Sequence, residues 1–188
     1  MKKYELTEET KVISGKTLFR IRALRSFGDI KAGDLGGFIE NERNLSHGGN
    51  AWVGDNAQVG GNAEVYGDAR VDGDAWVGGD AWVGDNAQVG GNAQVGGDAW
   101  VDGDAWVNGD GLINSNNDYL CEKGLGSHNR SASFFKCKDG HIHVLCGCFS
   151  GNLDEFENKV KEEHGNSKYS KEYLGFIEVV KTHFEVRQ

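Results

Sequence analysis

The stretch Gly124-Leu125-Gly126-Ser127-His128-Asn129-Arg130-Ser131 holds residue types that suit anion binding. Glycines without a Cβ let backbone N–H groups approach a ligand. Ser127, Arg130 and Ser133 add hydroxyl and guanidinium donors matched to phosphate or carboxylate. No Gly-Lys-Ser/Thr follows, so this is not a P-loop, and it is not a dinucleotide fingerprint. Gly126, Ser127, His128, Arg130 and Ser133 are thus the candidate ligand-binding residues for an anionic small molecule, against the plain reading of a connecting loop. A second group, Cys146-Gly147-Cys148 with Cys121, Cys137, His141 and His143, raises zinc. Metal sites usually show Cys-x2-Cys spacing, which is missing. Along a strand, Cys146 and Cys148 share one face and His141 and His143 the other. Buried apolar cysteines are the favoured reading, and neither metal nor cofactor is expected. The third group is aromatic: Trp52, Trp76, Trp82, Trp100 and Trp106, each between an Ala and a Val. Exposed aromatic clusters mark interfaces, so Trp52, Trp82, Trp100 and Trp106 are candidate interface residues.

The elements that position these groups follow from a repeat. Val recurs every six residues from Val53 to Val107, with Ile113 next, and Ala stands two places before each Val from Ala51 to Ala105. Gly/Asp/Asn pairs such as Gly61-Asn62 separate the units. Ala-x-Val alternates as a short strand does, with Ala and Val on one face. The pairs tolerate tight or left-handed corners. Three-residue arms joined by sharp corners wind into a parallel β-solenoid lined by Ala and Val, with the five Trp side chains pointing outward.

The flanks read as separate segments. Residues 1–47 predict an N-terminal cap: a hairpin around Ser14-Gly15, then Asp34–Ile39 leading into the repeat. The spacing puts Ile39 and Leu45 in step with Ala51, as a degenerate half-coil. Residues 48–114 are the repeat. Residues 115–188 predict a separate α+β domain. Its strands include Ser133–Cys137 and His141–Cys146 around a Lys138-Asp139-Gly140 turn. A helix follows Asn152, with Glu155 at the capping-box position and Gly165 as its stop. Ser170 is the candidate cap of a second helix.

The unit Ala-x-Val-x-Gly/Asp-Asn/Asp, eleven times over, resembles the hexapeptide-repeat family. That resemblance implies a left-handed β-helix with three hexads per coil, usually trimeric. An 18-residue coil places Trp100 over Trp82, and Trp52, Arg70, Gln88 and Trp106 on another face. With Gly124–Ser127 and Cys146–Phe149, the whole chain is similar to phage and prophage proteins of transferase-like type. Acyltransferases of the family extrude a loop and use a basic His, and its carbonic anhydrases hold zinc with three His. The coils here contain no His, and His47 precedes them.

Composition narrows the function. Of 188 residues 29 are Gly, about twice the usual share, and none is Pro, which excludes collagen. The chain holds no apolar run long enough to span a bilayer. Its charged start, Met1–Glu5, lacks a signal peptide's apolar stretch, so a cytoplasmic protein with reduced cysteines is expected. Residues 48–113 carry eleven acidic residues and one arginine, a net −10 within an overall −9. Such a prism repels nucleic acid. Corner ladders such as Asp80 over Asp98 could hold a cation or imitate a phosphate backbone, but Asp and Asn are also what corners prefer. The expectation is a non-catalytic, homotrimeric phage-type binding protein. It would sequester an anionic, nucleotide-like ligand or block a host protein, as a counter-defence protein does. The alternatives are an acyltransferase-like enzyme and an acidic nucleic-acid mimic.

Overall fold

The computed structural model describes residues 2–186. Strands β1 (Tyr4–Ile13) and β2 (Lys16–Ala23) form the expected antiparallel hairpin. Ser14 and Gly15 both take positive φ, the tight-turn geometry that matches strand twist. Strand β3 (Leu35–Ile39) pairs antiparallel with β2 and parallel with the repeat strand Gln58–Val59, which carries the hairpin sheet onto the solenoid.

The repeat forms a parallel β-solenoid of a little under four turns. Strands β4–β14 are Trp52–Val53, Gln58–Val59, Glu64–Val65, Arg70–Val71, Trp76–Val77, Trp82–Val83, Gln88–Val89, Gln94–Val95, Trp100–Val101, Trp106–Val107 and Leu112–Ile113. Strands β4–β11 each pair with the strand 18 residues on, and β12–β14 end the three stacks. Trp82 lies against Trp100, Trp52–Arg70–Gln88–Trp106 run up one sheet, and Gln58–Trp76–Gln94–Leu112 run up another. Three sheets result because each hexad contributes one arm and one corner. The Ala and Val rows fill the interior and are essentially inaccessible. Small Ala facing branched Val fits a narrow tube, and the coils are joined by bonds such as Trp82 N–H to Ala99 O at 2.9 Å. Corner acids are partly answered within the ladder. Asn62 Nδ2 donates to Asp80 Oδ1 at 2.8 Å and Asn86 Nδ2 to Asp104 Oδ1 at 3.1 Å.

The half-coil exists, but its phase differs from the expected one. Ile39 pairs with Val59 and Leu45 with Val65, so both stand in the valine row rather than in step with Ala51. Leu45 and Val53 are eight residues apart, so this first corner holds two extra residues. Polar side chains then close the end. Asn44 is fully buried and its Nδ2 donates to Ala63 O at 2.8 Å and Gly61 O at 3.2 Å. Lys3, also buried, donates from Nζ to Ala51 O at 2.7 Å.

Burial of the Lys3 ammonium, aided by Arg25, lowers its pKa from 10.5 to about 8. Between those values the unfolded chain keeps a proton that the folded chain has released, so Lys3 makes stability rise with pH in that window. Tyr4 is pushed upward by burial and by Glu42, and opposes this above pH 10. The stability of wild type relative to Lys3→Met, measured by urea unfolding, is expected to grow from pH 8 to 10.5. A flat difference would contradict it.

The C-terminal segment closes the other end. Strands β15 (Tyr119–Leu125), β16 (Arg130–Lys136), β17 (Ile142–Cys146) and β18 (Phe149–Asn152) form an antiparallel meander. Helices α1 (Leu153–His164) and α2 (Lys168–His183) follow. Asn152 and Glu155 make the expected capping box, while α2 is capped by Ser167, not Ser170, which is buried. Alternation splits the sheet. Ala132, Phe134 and Val144 pack on the helices, and Phe135 and Leu145 join the solenoid core. One face of the sheet thus continues the core of the last coil, while the other face and the two helices enclose a second core of their own. The sheet also satisfies the open edge. Ser133 Oγ accepts from Trp106 N–H at 2.8 Å, Gly111 bridges to Cys137, and Lys138 N–H donates to Asp110 O at 3.1 Å. Ser133→Ala would leave the Trp106 N–H without that acceptor and is expected to cost about 1–3 kcal/mol in a urea titration.

Candidate functional site

The tryptophans differ in cover, with Trp52 buried, Trp76 half-buried and three exposed. Trp52 points away from the solenoid interior yet is buried, which corrects its assignment to an exposed interface. The N-terminal cap covers it. Phe27 meets its ring edge-on at 5.5 Å between centroids, and Gly36 lies against its ring so closely that a Cβ there would sit 2.6 Å from Cζ2. Trp82, Trp100 and Trp106 remain exposed, at 43%, 48% and 41%. Those fractions are large for tryptophan and mark the faces that the caps leave open.

Trp82 and Trp100 form the more organised face. Their ring centroids are 5.8 Å apart, and Tyr66 meets Trp82 edge-on at 5.9 Å. Tyr66 was missed in the sequence because it replaces a corner residue rather than the variable arm position. Its ring lies over Gly84, where a Cβ would come within 2.1 Å of Cζ, so the glycine makes room for it. Trp100 is held at three atoms. Asn116 Oδ1 accepts from its N–H at 2.7 Å, Tyr119 donates its hydroxyl to Trp100 O at 2.6 Å, and Nε1–H donates to Tyr66 at 3.1 Å. Trp100–Val101 is the last strand of its sheet, so Asn116 and Tyr119 stand where a further coil would pair. Capping the edge therefore also fixes the aromatic ring.

A groove of about 630 Å³ runs from Trp100 past Asp102, Asp104, Tyr119 and Glu122 to His183. A smaller hollow joins Trp82 and Trp100 to Asp80 and Asp98. Lys123 pairs with Asp104 at 2.7 Å, and with Asn86 this holds the Asp104 carboxyl below its usual range. Burial, and after it the Asp102 charge, pushes the Tyr119 hydroxyl up to about 12, so it stays a donor to Trp100 at physiological pH. The surface is aromatic at its centre and acidic at its rim.

The anion-binding set does not converge. Gly126–Asn129 form a tight turn between Leu125 and Arg130, and Ser127 Oγ bonds its neighbour His128 Nδ1 at 2.9 Å. Ser133 is buried on the solenoid side and serves the Trp106 edge, which corrects its place among the ligand donors. Three residues along a strand reverse the face, so Ser133 and Arg130 point oppositely. Of this set Arg130 alone reaches a cleft, of about 170 Å³, where Lys159, Glu163, His164, Tyr173 and Cys148 join it. Arg130 makes no ion pair among the described residues. The cleft is below the roughly 300–1,000 Å³ of small-molecule pockets. It suits a phosphate group but not a whole nucleotide.

No family model matches the chain, and no curated protein matches its sequence. Acyl transfer therefore has to be judged from the coils themselves. Every coil from Ala51 on repeats at 18 residues without an extruded loop. His47 stacks on Tyr4 at 4.4 Å and accepts from Lys3 N–H at 3.2 Å, so it braces the cap. Of the cysteines outside the β16–β17 turn, Cys146 packs on the helix side, Cys148 is exposed, and Cys121 is half-buried. Among the described residues, no helix is long and apolar enough to cross a membrane.

Proposed function

We propose that the chain is a non-catalytic binding protein whose working surface is the Tyr66–Trp82–Trp100 face, and that its occupant is a protein presenting a cationic, partly apolar surface. The observation that carries this is Trp100: half-exposed, yet fixed through its backbone N–H, its carbonyl and its indole nitrogen. A ring held in place before binding loses little entropy on contact, and central aromatic anchors dominate interface energetics. The rim of Asp80, Asp98, Asp102 and Glu122 supplies charge complementary to Lys or Arg, which also stack on indole faces. A phage-type counter-defence protein that occupies a host protein through this face fits the reading.

Homotrimer formation through the same tryptophans is the competing occupant. It would bring together solenoids of net −10 each, which disfavours close packing of these faces. Sedimentation velocity tests the choice. A monomer at micromolar concentration is the expected result. A trimer that Trp82→Ala with Trp100→Ala dissociates would give the face to self-association.

A second reading rests on Arg130, whose guanidinium makes no ion pair among the described residues and lines a cleft with His164 and with Lys159 and Glu163, themselves paired at 3.1 Å. It suits a small oxyanion or the phosphate end of a larger ligand. Calorimetry with inorganic phosphate and nucleotides is expected to show binding that Arg130→Ala weakens about ten- to a hundredfold, the loss of one charge-assisted contact. Equal binding by the variant would remove this reading.

A further inference from the structure

The hairpin between β16 and β17 gathers three metal-ligating side chains that neither the aromatic face nor the Arg130 cleft uses. Cys137 directly follows β16, His141 follows the Lys138-Asp139-Gly140 turn, and His143 lies in β17. The turn brings them together, with Cys137 N–H donating to His141 O at 2.9 Å and Phe135 opposite His143. One donor atom from each of Cys137, His141 and His143 lies within 4.8 Å of the others. We propose that these three residues bind a borderline-soft divalent transition-metal ion, Zn²⁺ foremost, with water as the fourth ligand.

The inner nitrogens are the first support. His141 Nε2 and His143 Nδ1 face each other at 3.5 Å. Two nitrogens about 2.0–2.1 Å from a tetrahedral zinc stand about 3.3–3.4 Å apart, so the imidazoles are already at ligand spacing. The Cys137 sulfur lies within 4.8 Å of a nitrogen of each imidazole, against about 3.5–3.6 Å in a tetrahedral zinc site, so it has to close in by a rotamer adjustment. The outer nitrogens are the second support. His141 Nδ1 bonds Asp139 Oδ1 at 2.5 Å, and His143 Nε2 bonds Ser150 Oγ at 2.9 Å. Metal-bound histidines characteristically give their other N–H to a carboxylate or another oxygen, which fixes the ring and the tautomer. In the tautomers that donate to Asp139 and Ser150 through the outer nitrogens, the two inner lone pairs point at one spot, where a cation is accommodated. One thiolate and two imidazoles select zinc over magnesium or calcium, which prefer oxygen ligands.

The position also gives the ion a task. This hairpin is the part of the sheet tied to the last coil, through the Gly111–Cys137 bridge and Lys138 Nζ to Asn92 O at 2.9 Å. A metal would lock the turn and so fasten the cap to the solenoid. Cys137 is buried while His141 is exposed, so the ion has a route in from solvent.

Titrating metal-free, reduced full-length protein with Co²⁺ tests the proposal. One equivalent is expected to give the ligand-field bands of tetrahedral cobalt and a thiolate-to-cobalt charge-transfer band, both abolished by one equivalent of Zn²⁺. Cys137→Ser should remove the charge-transfer band. Because Cys137 is buried and that variant could misfold, Asp139→Asn on the exposed turn serves as the second. It should keep the fold and weaken zinc binding about 10- to 100-fold, the usual cost of losing an orienting carboxylate. Absent bands, or unchanged zinc affinity in both Asp139→Asn and His141→Asn, would overturn the site and leave a plain His–His hydrogen bond.

Discussion

Gly97→Val is expected to destabilise the protein by roughly 3–5 kcal/mol, from a strained corner and an overpacked contact together. Gly97 turns its corner at φ +57°, and an added Cβ would lie 2.1 Å from Asn114 O. That carbonyl belongs to the coil below and cannot withdraw without disturbing the Gly96 N–H to Ile113 O bond beside it, 2.8 Å long. Gly103 supplies the control. Its φ is +66°, but nothing lies within 4 Å of the added Cβ, so Gly103→Val should cost only the backbone strain, about 1–3 kcal/mol. Urea unfolding of the two variants side by side measures the stacking contribution directly. Equal losses would mean that coil-to-coil contact at Asn114 carries no weight.

Trp100→Ala is expected to weaken partner binding by at least about 2 kcal/mol, the threshold for a central aromatic anchor, or about thirtyfold in Kd. The substitution removes the ring that Trp82 and Tyr66 pack against, so Trp82 should lose its fixed orientation as well. Tyr66→Phe is the finer test. It keeps the ring over Gly84 but deletes the acceptor for Trp100 Nε1–H, so binding should fall by less, about 0.5–1.5 kcal/mol. Gln94→Ala, on a different sheet, should leave affinity unchanged.

The solenoid was legible because one side chain in every hexad had to be Ala and another Val. A six-residue rhythm in a narrow tube permits little else, and the 18-residue stacking of Trp82 on Trp100 followed. What the rhythm does not encode is what lies outside the tube. Trp52 and Trp106 occupy equivalent positions in one sheet, yet Trp52 is buried because Phe27 and Gly36 happen to cover it. That contact joins residues far apart in sequence through an irregular loop. The two-residue offset of Ile39 and Leu45 escaped notice because Ser46–Asn50 imitates an ordinary Gly/Asn corner. Two other features are readable in the sequence. Strand alternation alone separates Ser133 from Arg130, and the Lys138–Gly140 turn, once identified, places Cys137 beside His141. Only the second needs pairing across the hairpin, which spacing along a single strand does not show.

Site-specific photo-crosslinking in the cell that makes the protein tests the central claim most directly. A photoreactive residue at position 82 is expected to crosslink to a basic segment of a distinct protein, and the same residue at position 94 to capture nothing comparable. Both positions are exposed arms of the same solenoid, on different sheets, so they differ in surroundings and not in accessibility. Crosslinks from position 82 that land only on other copies of the chain would reassign the face to self-association. Equal crosslinking from both positions, or none from either, would contradict the account.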